Sequence, residues 1–297
     1  MKLAVMNRLE RRNLPWIYIF LAPTIIMFLM FYLWPILTVI YTSFTRWNGM
    51  TTPQWTGLAN YQRLINMSGF MSSLRNLGLW SLIAATLHTA FGIIVAFAFF
   101  KNPPGWKFVR TVFMIPNVIS GAAWAMIYRF LFNNEFGILN NFIRIFDKDF
   151  SVNWFFQSPA AFWAITFTWL FYAVVISLVV LADLMSISSD IHEAAIIDGA
   201  SGWQILTRID LPLCRFSIGT SVIMGVTSRI SMYEAIALTS RGGPAEDTMS
   251  LSMLLVKAIT DFNYGLANSA GMVMLIIGAF LMLICNRIFR MNKPVGE

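Results

Sequence analysis

Residues 193–212 read EAAIIDGASGWQILTRIDLP, a polar and small-residue segment between two long apolar stretches. Local rules turn it into a helix, a corner and a second helix. Asp190 with Glu193, or Ser189 just before, offers a start signal for a helix whose interior is HEAAIID. Ala194 and Ala195 are small enough for close backbone approach. Gly199 supplies the left-handed position that ends a helix, and Ser201 followed by Gln204 has the spacing of a second capping box. The second helix carries Trp203, Ile205, Leu206 and Ile209, too apolar to be left solvated, and Pro212 marks the return to the apolar stretch. The segment reads as a helix-turn-helix at a membrane surface, with a face for a soluble partner.

The rest of the chain supplies the membrane. Of 297 residues, 58% are hydrophobic, 15% aromatic and 12% charged, which excludes an ordinary soluble domain. The net charge of +7 comes from scattered residues, so it belongs to membrane orientation and not to nucleic-acid binding. Crossing a bilayer core of about 30 Å takes about 20 helical residues. Six stretches meet that length, near 16–43, 77–100, 110–132, 160–185, 214–238 and 267–289. The expected fold is an all-α membrane protein, one transmembrane domain over 1–297, with a surface loop at 186–213. Pro23 and Pro35 predict a kinked or tilted first helix. No A-x-A site follows the N-terminal arginines and the apolar run is too long for a signal core, so the first segment is expected to stay.

Orientation follows the cations near the helix ends. Loop 101–110, KNPPGWKFVR, has three positive charges and no acid, and Arg8, Arg11, Arg12, Arg287, Arg290 and Lys293 cluster near the termini. Both termini and the 186–213 loop are therefore expected in the cytoplasm. Long outer loops follow at 44–76, 133–159 and 239–266. Segment 60–75 is spaced for a surface-lying helix, and RGGPAEDT, 241–248, for a turn whose Glu246 and Asp247 meet solvent or an outside partner. Cys214 and Cys285 fall at cytoplasmic helix ends and read as apolar fillers.

Several activities lack their residues. There is no Gly-x-x-x-x-Gly-Lys-Ser/Thr phosphate loop, and His88 and His192 are the only histidines, assigned to different compartments. Neither a cofactor nor a metal is expected on this chain. His88 reads as a hydrogen-bonded helix contact, and Asp183 as a contact of the cytoplasmic helix ends. Arg229 stands in GVTSRISMYEAIAL, where an intramembrane cation costs at least about 2.5 kcal/mol unless it faces a cavity or a partner. Glu234 lies about 140° round an ideal helix from it, which makes a poor ion pair.

The segment Glu193, Ala194, Ala195, Gly199, Ile209, Leu211, Pro212 resembles the E-A-A, three residues, G, I-x-L-P signature of the membrane subunits of binding-protein-dependent ABC importers. The string IDGAS with WQ, the stretch MIPNVISGAAWAMIYRFLF with FGILNN, and ALTSRGGPAEDT are similar to carbohydrate-type permeases. Leu206 departs from the phenylalanine common there. The likeness runs from about residue 16 to 290.

That resemblance implies a transporter subunit and no enzyme. The Glu193, Ala194, Ala195, Asp198, Gly199, Ile209, Leu211 and Pro212 segment would be the coupling loop, seated in a groove of an ATPase subunit. ATP and Mg would be bound by two partner ATPases, whose closure draws the loops together and rocks the bundle. A second, homologous permease completes the pair, with a heterodimer favoured by the GGP-containing outer loop. An extracytoplasmic binding protein delivers a carbohydrate-class solute to the inner membrane of a bacterium or archaeon. By the same resemblance Trp169, Tyr172 and Ser177 on one side, and Ser228, Arg229, Met232 and Tyr233 on the other, line the translocation path. Aromatic rings stack on sugar faces and polar groups read hydroxyls, although aromatics at i and i+3 such as Trp169 and Tyr172 also serve as packing anchors. An ion-gradient-driven secondary transporter is the alternative, but it calls for embedded carboxylates, whereas the evident embedded charge here is a cation.

Overall fold

The computed structural model describes residues 8–289, with side chains described from Trp16 onward. The N-terminal arginines and Arg290 and Lys293, used for orientation, lie outside the described side chains.

The first span is one rod: α1 (Arg8–Phe28), a π-helical turn (Leu29–Leu33) and α2 (Trp34–Ser43). Pro35 does not break it. A proline lacks an N–H and its ring collides with the carbonyl four residues back, and the wider π turn just before it relieves both. The same device recurs at Pro212, where a π turn (Leu206–Asp210) precedes the proline at the same offset. Most side chains of the first rod are exposed, as suits a lipid-facing helix, until its end packs on the last span.

After α2 the chain forms a short antiparallel pair, β1 (Thr45–Arg46) with β2 (Gln54–Trp55), the only sheet among the described residues. Residues 60–75 do not form a single surface helix. α3 (Ala59–Ile65) ends, Met67 is extended, and α4 (Ser68–Ile83) already begins the next span, which continues through a π turn (Ala84–His88) into α5 (Thr89–Phe100). Asn60 and Ser73 of this stretch are buried, and just beyond it Asn76 is fully buried and donates to Asp247 O and Met249 O, each at 2.9 Å. Loop 241–248 is thereby pinned, with Arg75 3.6 Å from Asp247 and Ser68 bonded to Glu246.

The 110–132 stretch is not one helix either. α6 (Trp106–Met114) and a 3-10 turn (Ile115–Val118) meet α7 (Gly121–Leu131) at 106°. Pro116, then extended Ile119 and Ser120, make the corner, and Ser120 caps α7 by accepting from Ala123 N. α8 (Ile138–Ile143) lies in the following loop. The next span is α9 (Ala160–Leu170) and α10 (Val174–Leu184), interrupted at 171–173. α11 (Ser189–Ile197), α12 (Gly202–Ile205) and α13 (Leu211–Leu213) form the surface loop, and α14 (Arg215–Ile230) leaves it after a 68° bend. Where one helix was expected to 238, α14 stops at Ile230 and α15 (Glu234–Ala237) restarts. α16 (Leu251–Thr260) and α17 (Tyr264–Phe289) complete the chain.

Among the described residues four helical spans are long and apolar enough to cross a membrane, and six if each sharply bent pair is one span. Four buried clusters join the described helices, one of them Val222, Val226 and Cys285 between α14 and α17. Trp80, Ile165, Trp169 and Ile236 gather α4, α9 and α15; Leu77, Leu254 and Leu266 gather α4, α16 and α17; Ala96, Val180 and Cys214 gather α5, α10 and the start of α14. α5 and α10 meet at Gly92, where an added Cβ would stand 2.8 Å from the Cβ of Ile176. Cys214 and Cys285 are buried and unpaired.

Candidate functional site

The surface loop is held by local bonds. Ser188, not Ser189 or Asp190, is the cap of α11: it has extended backbone and accepts from Asp190 N, which leaves Asp190 in the first turn, where a negative charge suits the helix dipole. At the far end Gly199 has φ +79°, Ala200 N donates to Ala195 O at 2.9 Å and Gly199 N to Ile196 O at 3.0 Å, the paired bonds of a Schellman stop. Ser201 and Gln204 then form the capping box reciprocally, at 2.7 and 3.3 Å.

Pro212 does not end this second helix. Helix continues through the π turn to Leu213, and the bend falls at Cys214. One contact absent from the sequence reading ties the two limbs: His192 Nε2 lies 2.7 Å from Asp210 Oδ1, and Asp210 is buried. Glu193, Ala194, Asp198, Gly199 and Pro212 are exposed, while Ala195, Ile209 and Leu211 are half-buried. Trp203 and Ile197 stay 72% and 84% exposed, so the loop leaves an apolar surface that its own chain does not cover.

The interruptions of α9 and α14 create the second feature. A helix that stops in a membrane leaves carbonyls without partners, which are costly away from water. At the end of α9, Trp124 donates to Thr168 O at 2.7 Å and His88 Nδ1 lies 2.8 Å from Leu170 O. A carbonyl only accepts, so Nδ1 carries the proton and His88 serves the helix contact expected of it. At the end of α14, Ser252 donates to Ile230 O at 2.8 Å and Ser250 to Met232 O at 3.0 Å.

Arg229 sits between these ends. Its guanidinium carbon is 4.1 Å from the Trp169 ring centroid, Nη2 is 3.0 Å from Ser228 Oγ, and Nη1 is 3.9 Å from Met232 Sδ. Two cavities adjoin at this group. One of about 240 Å³ is lined by His88, Tyr172, Ile176, Met224 and Gly225. The other, about 500 Å³, is lined by Gly121, Trp124, Met232, Tyr233 and Glu234. Trp169, Tyr172, Ser228 and Arg229 border both.

Of the residues assigned to the path, Trp169, Tyr172, Ser228, Arg229, Met232 and Tyr233 thus come together. Ser177 does not: it is fully buried, donates to Val174 O of its own helix at 2.7 Å, and lines neither cavity. Trp169 is both anchor and wall, 6% exposed and edge-on to His88, with an indole N–H that has no acceptor among the described residues. Tyr172 donates to Asn117 Oδ1 at 2.7 Å. The ideal-helix argument separating Arg229 from Glu234 lapses, because the helix stops between them. Glu234 instead opens α15 and lays its carboxylate against Gly121, at the N-terminus of α7. Trp124 was not singled out in the sequence, since it reaches the end of α9 from another helix.

The pattern of the family described as "Binding-protein-dependent transport system inner membrane component" matches residues 88–294. The chain is 29% identical to the probable ABC transporter permease protein YesP of Bacillus subtilis, over 90% of this chain and 88% of that one. It is 29% identical to the multiple sugar-binding transport system permease protein MsmF of Streptococcus mutans, over 89% and 92%. Among solved structures, a bacterial ABC transporter involved in the import of the acidic polysaccharide alginate has the same fold, with a TM-score of 0.82 at 23% identity, over 97% of this chain and 100% of that one. With a family match that takes in both the surface loop and the Arg229 cavities, the chain belongs to the inner-membrane components of binding-protein-dependent transport systems.

Proposed function

We propose that this chain is one of two paired permeases of an ATP-driven importer for a carbohydrate-class solute, and that Arg229 reads acidic groups on that solute. Relatives named for sugar transport support the carbohydrate class: MsmF, and the trehalose/maltose permease MalF of Thermococcus litoralis. The structural neighbour named for alginate import fits an acidic cargo. Loop 186–213 and both termini face the cytoplasm in this reading. Each permease presents its loop to one of two ATPase subunits, which hold ATP and Mg. Glu193, Ala194, Ala195, Asp198 and Gly199 make the contact surface, while Ile209, Leu211 and Pro212 carry the movement into α14. An extracytoplasmic binding protein delivers the solute to the Arg229 cavities.

The observation that carries the acidic reading is Arg229 itself, held over Trp169 at the junction of two cavities with no carboxylate among the described residues in an ion pair with it. A cation–π contact of about 0.5–2 kcal/mol only partly offsets an embedded charge, so an anionic ligand gains by completing the balance. The test is uptake into proteoliposomes holding the full assembly with its binding protein. Arg229→Ala is expected to cut uptake of an acidic oligosaccharide by roughly 10- to 100-fold, the worth of a charged hydrogen bond, and that of a neutral one by far less. Equal losses would remove the charge reading.

A further inference from the structure

The end of α5 beside the surface loop has a construction separate from the Arg229 cavities. Two cavities flank Phe100 there. One, about 400 Å³, has Phe97, Ile205 and Leu206 as apolar wall and Lys101 at its rim. The other, about 280 Å³, has Phe99 and Leu181 as wall and Arg110 at its rim. The connecting loop and α6 add Lys107, and residues 101–110 contain no acid. None of the three cations is in an ion pair among the described residues; Arg110 lies 5.9 Å from the Trp106 ring centroid. The single acid lining either cavity, Asp210, is engaged by His192. On α6, Phe108, Val109 and Val112 are 74%, 55% and 46% exposed, an apolar face that suits immersion at the membrane surface.

A twin apolar cleft with a cationic rim, at the end of a membrane span, is complementary to one chemical object: two acyl chains under one negative headgroup. We propose that an anionic phospholipid binds astride Phe100, its phosphate between Lys101 and Arg110 and its chains in the two clefts. A soluble anion leaves the apolar walls wet, and a zwitterionic lipid leaves the cations without net compensation. The lipid abuts Leu206 and Ile205 of the surface loop, so it braces the limb that carries motion into α14. Only the assignment to the inner leaflet rests on the orientation proposed above.

Binding is read directly, without uptake. The complete assembly, purified in mild detergent and offered equal amounts of phosphatidylglycerol and phosphatidylcholine, is weighed by native mass spectrometry. Wild type is expected to retain phosphatidylglycerol about fivefold or more over phosphatidylcholine, the worth of one surface cation or better. K101Q/R110Q brings the ratio near parity, and the charge-conserving K101R/R110K restores it in an equally assembled protein. Parity in wild type, or an unchanged ratio in K101Q/R110Q, overturns the site. A photoreactive residue replacing Phe100 is expected to label lipid, and labelling of an ATPase or of the second permease overturns it as well. Loss of charge selectivity in uptake with lipid preference intact separates failure of the transport reading from failure of this one.

Discussion

Arg229 and Trp169 each stand one residue before the end of a helix, and the guanidinium of one caps the ring of the other at 4.1 Å. The contact exists because both helices break. Continuous helices over 160–185 and 214–238 would leave no free end for either side chain to turn across. Trp169→Leu removes the ring face and frees the guanidinium, and is expected to raise the half-saturating concentration for acidic solute about 3- to 10-fold. Trp169→Phe keeps a face and most of the affinity. Uptake titrations in proteoliposomes compare the two; identical losses in both would mean that ring size, not the cation–π face, is what counts.

Gly199 separates conformational from steric need. A Cβ there would meet nothing within 4 Å, yet φ is +79°. Within this chain the expected cost of a side chain is therefore backbone strain, about 1–2 kcal/mol and greatest for β-branched residues. Gly199→Asn is expected to keep coupled uptake near wild type, whereas Gly199→Val loses most uptake per ATP hydrolysed and still inserts in the membrane. The measurement is the ratio of transport to hydrolysis in the reconstituted complex.

His192 and Asp210 hold the two limbs of the loop together at 2.7 Å. Removing the histidine leaves a buried carboxylate without its donor, a loss of about 1–3 kcal/mol. Removing both leaves nothing unpaired. His192→Ala is thus expected to lower the melting temperature more than His192→Ala with Asp210→Ala, as read by thermal unfolding of the purified assembly. A double variant worse than the single one would show that the pair is not a compensated unit.

The α5–α10 contact gives a packing test. Gly92→Ala places a methyl 2.8 Å from the Ile176 Cβ and 3.2 Å from that of Ala173, an overpacking worth about 1–3 kcal/mol. Ile176→Ala in the same chain is expected to recover part of the loss, because the new methyl takes space that the isoleucine vacates. Melting temperatures of the single and double variants decide it.

The surface loop was the most legible part. The Gly199 stop and the Ser201–Gln204 box are bonds among near neighbours, and residue type with spacing states them in full. The cap of α11 moved to Ser188, since three adjacent polar residues compete for one position, and the second helix ran past Pro212 to Leu213. Helix breaks were harder to see. An apolar run reads the same whether one helix or two short ones carry it, and Ser231 and Ala173 hold no proline or glycine to mark the interruption.

What the sequence by itself determined was the membrane setting, the helical class and the bent loop, all of which follow from composition and contacts a few residues apart. Only the tertiary structure decided where the spans break and which side chains gather at Arg229. A broken helix inside a membrane needs substitutes for its lost backbone partners, and those come from Trp124, His88, Ser250 and Ser252 on other helices. Their positions along the chain say nothing of that meeting, because it is set by how the spans pack and not by any local preference.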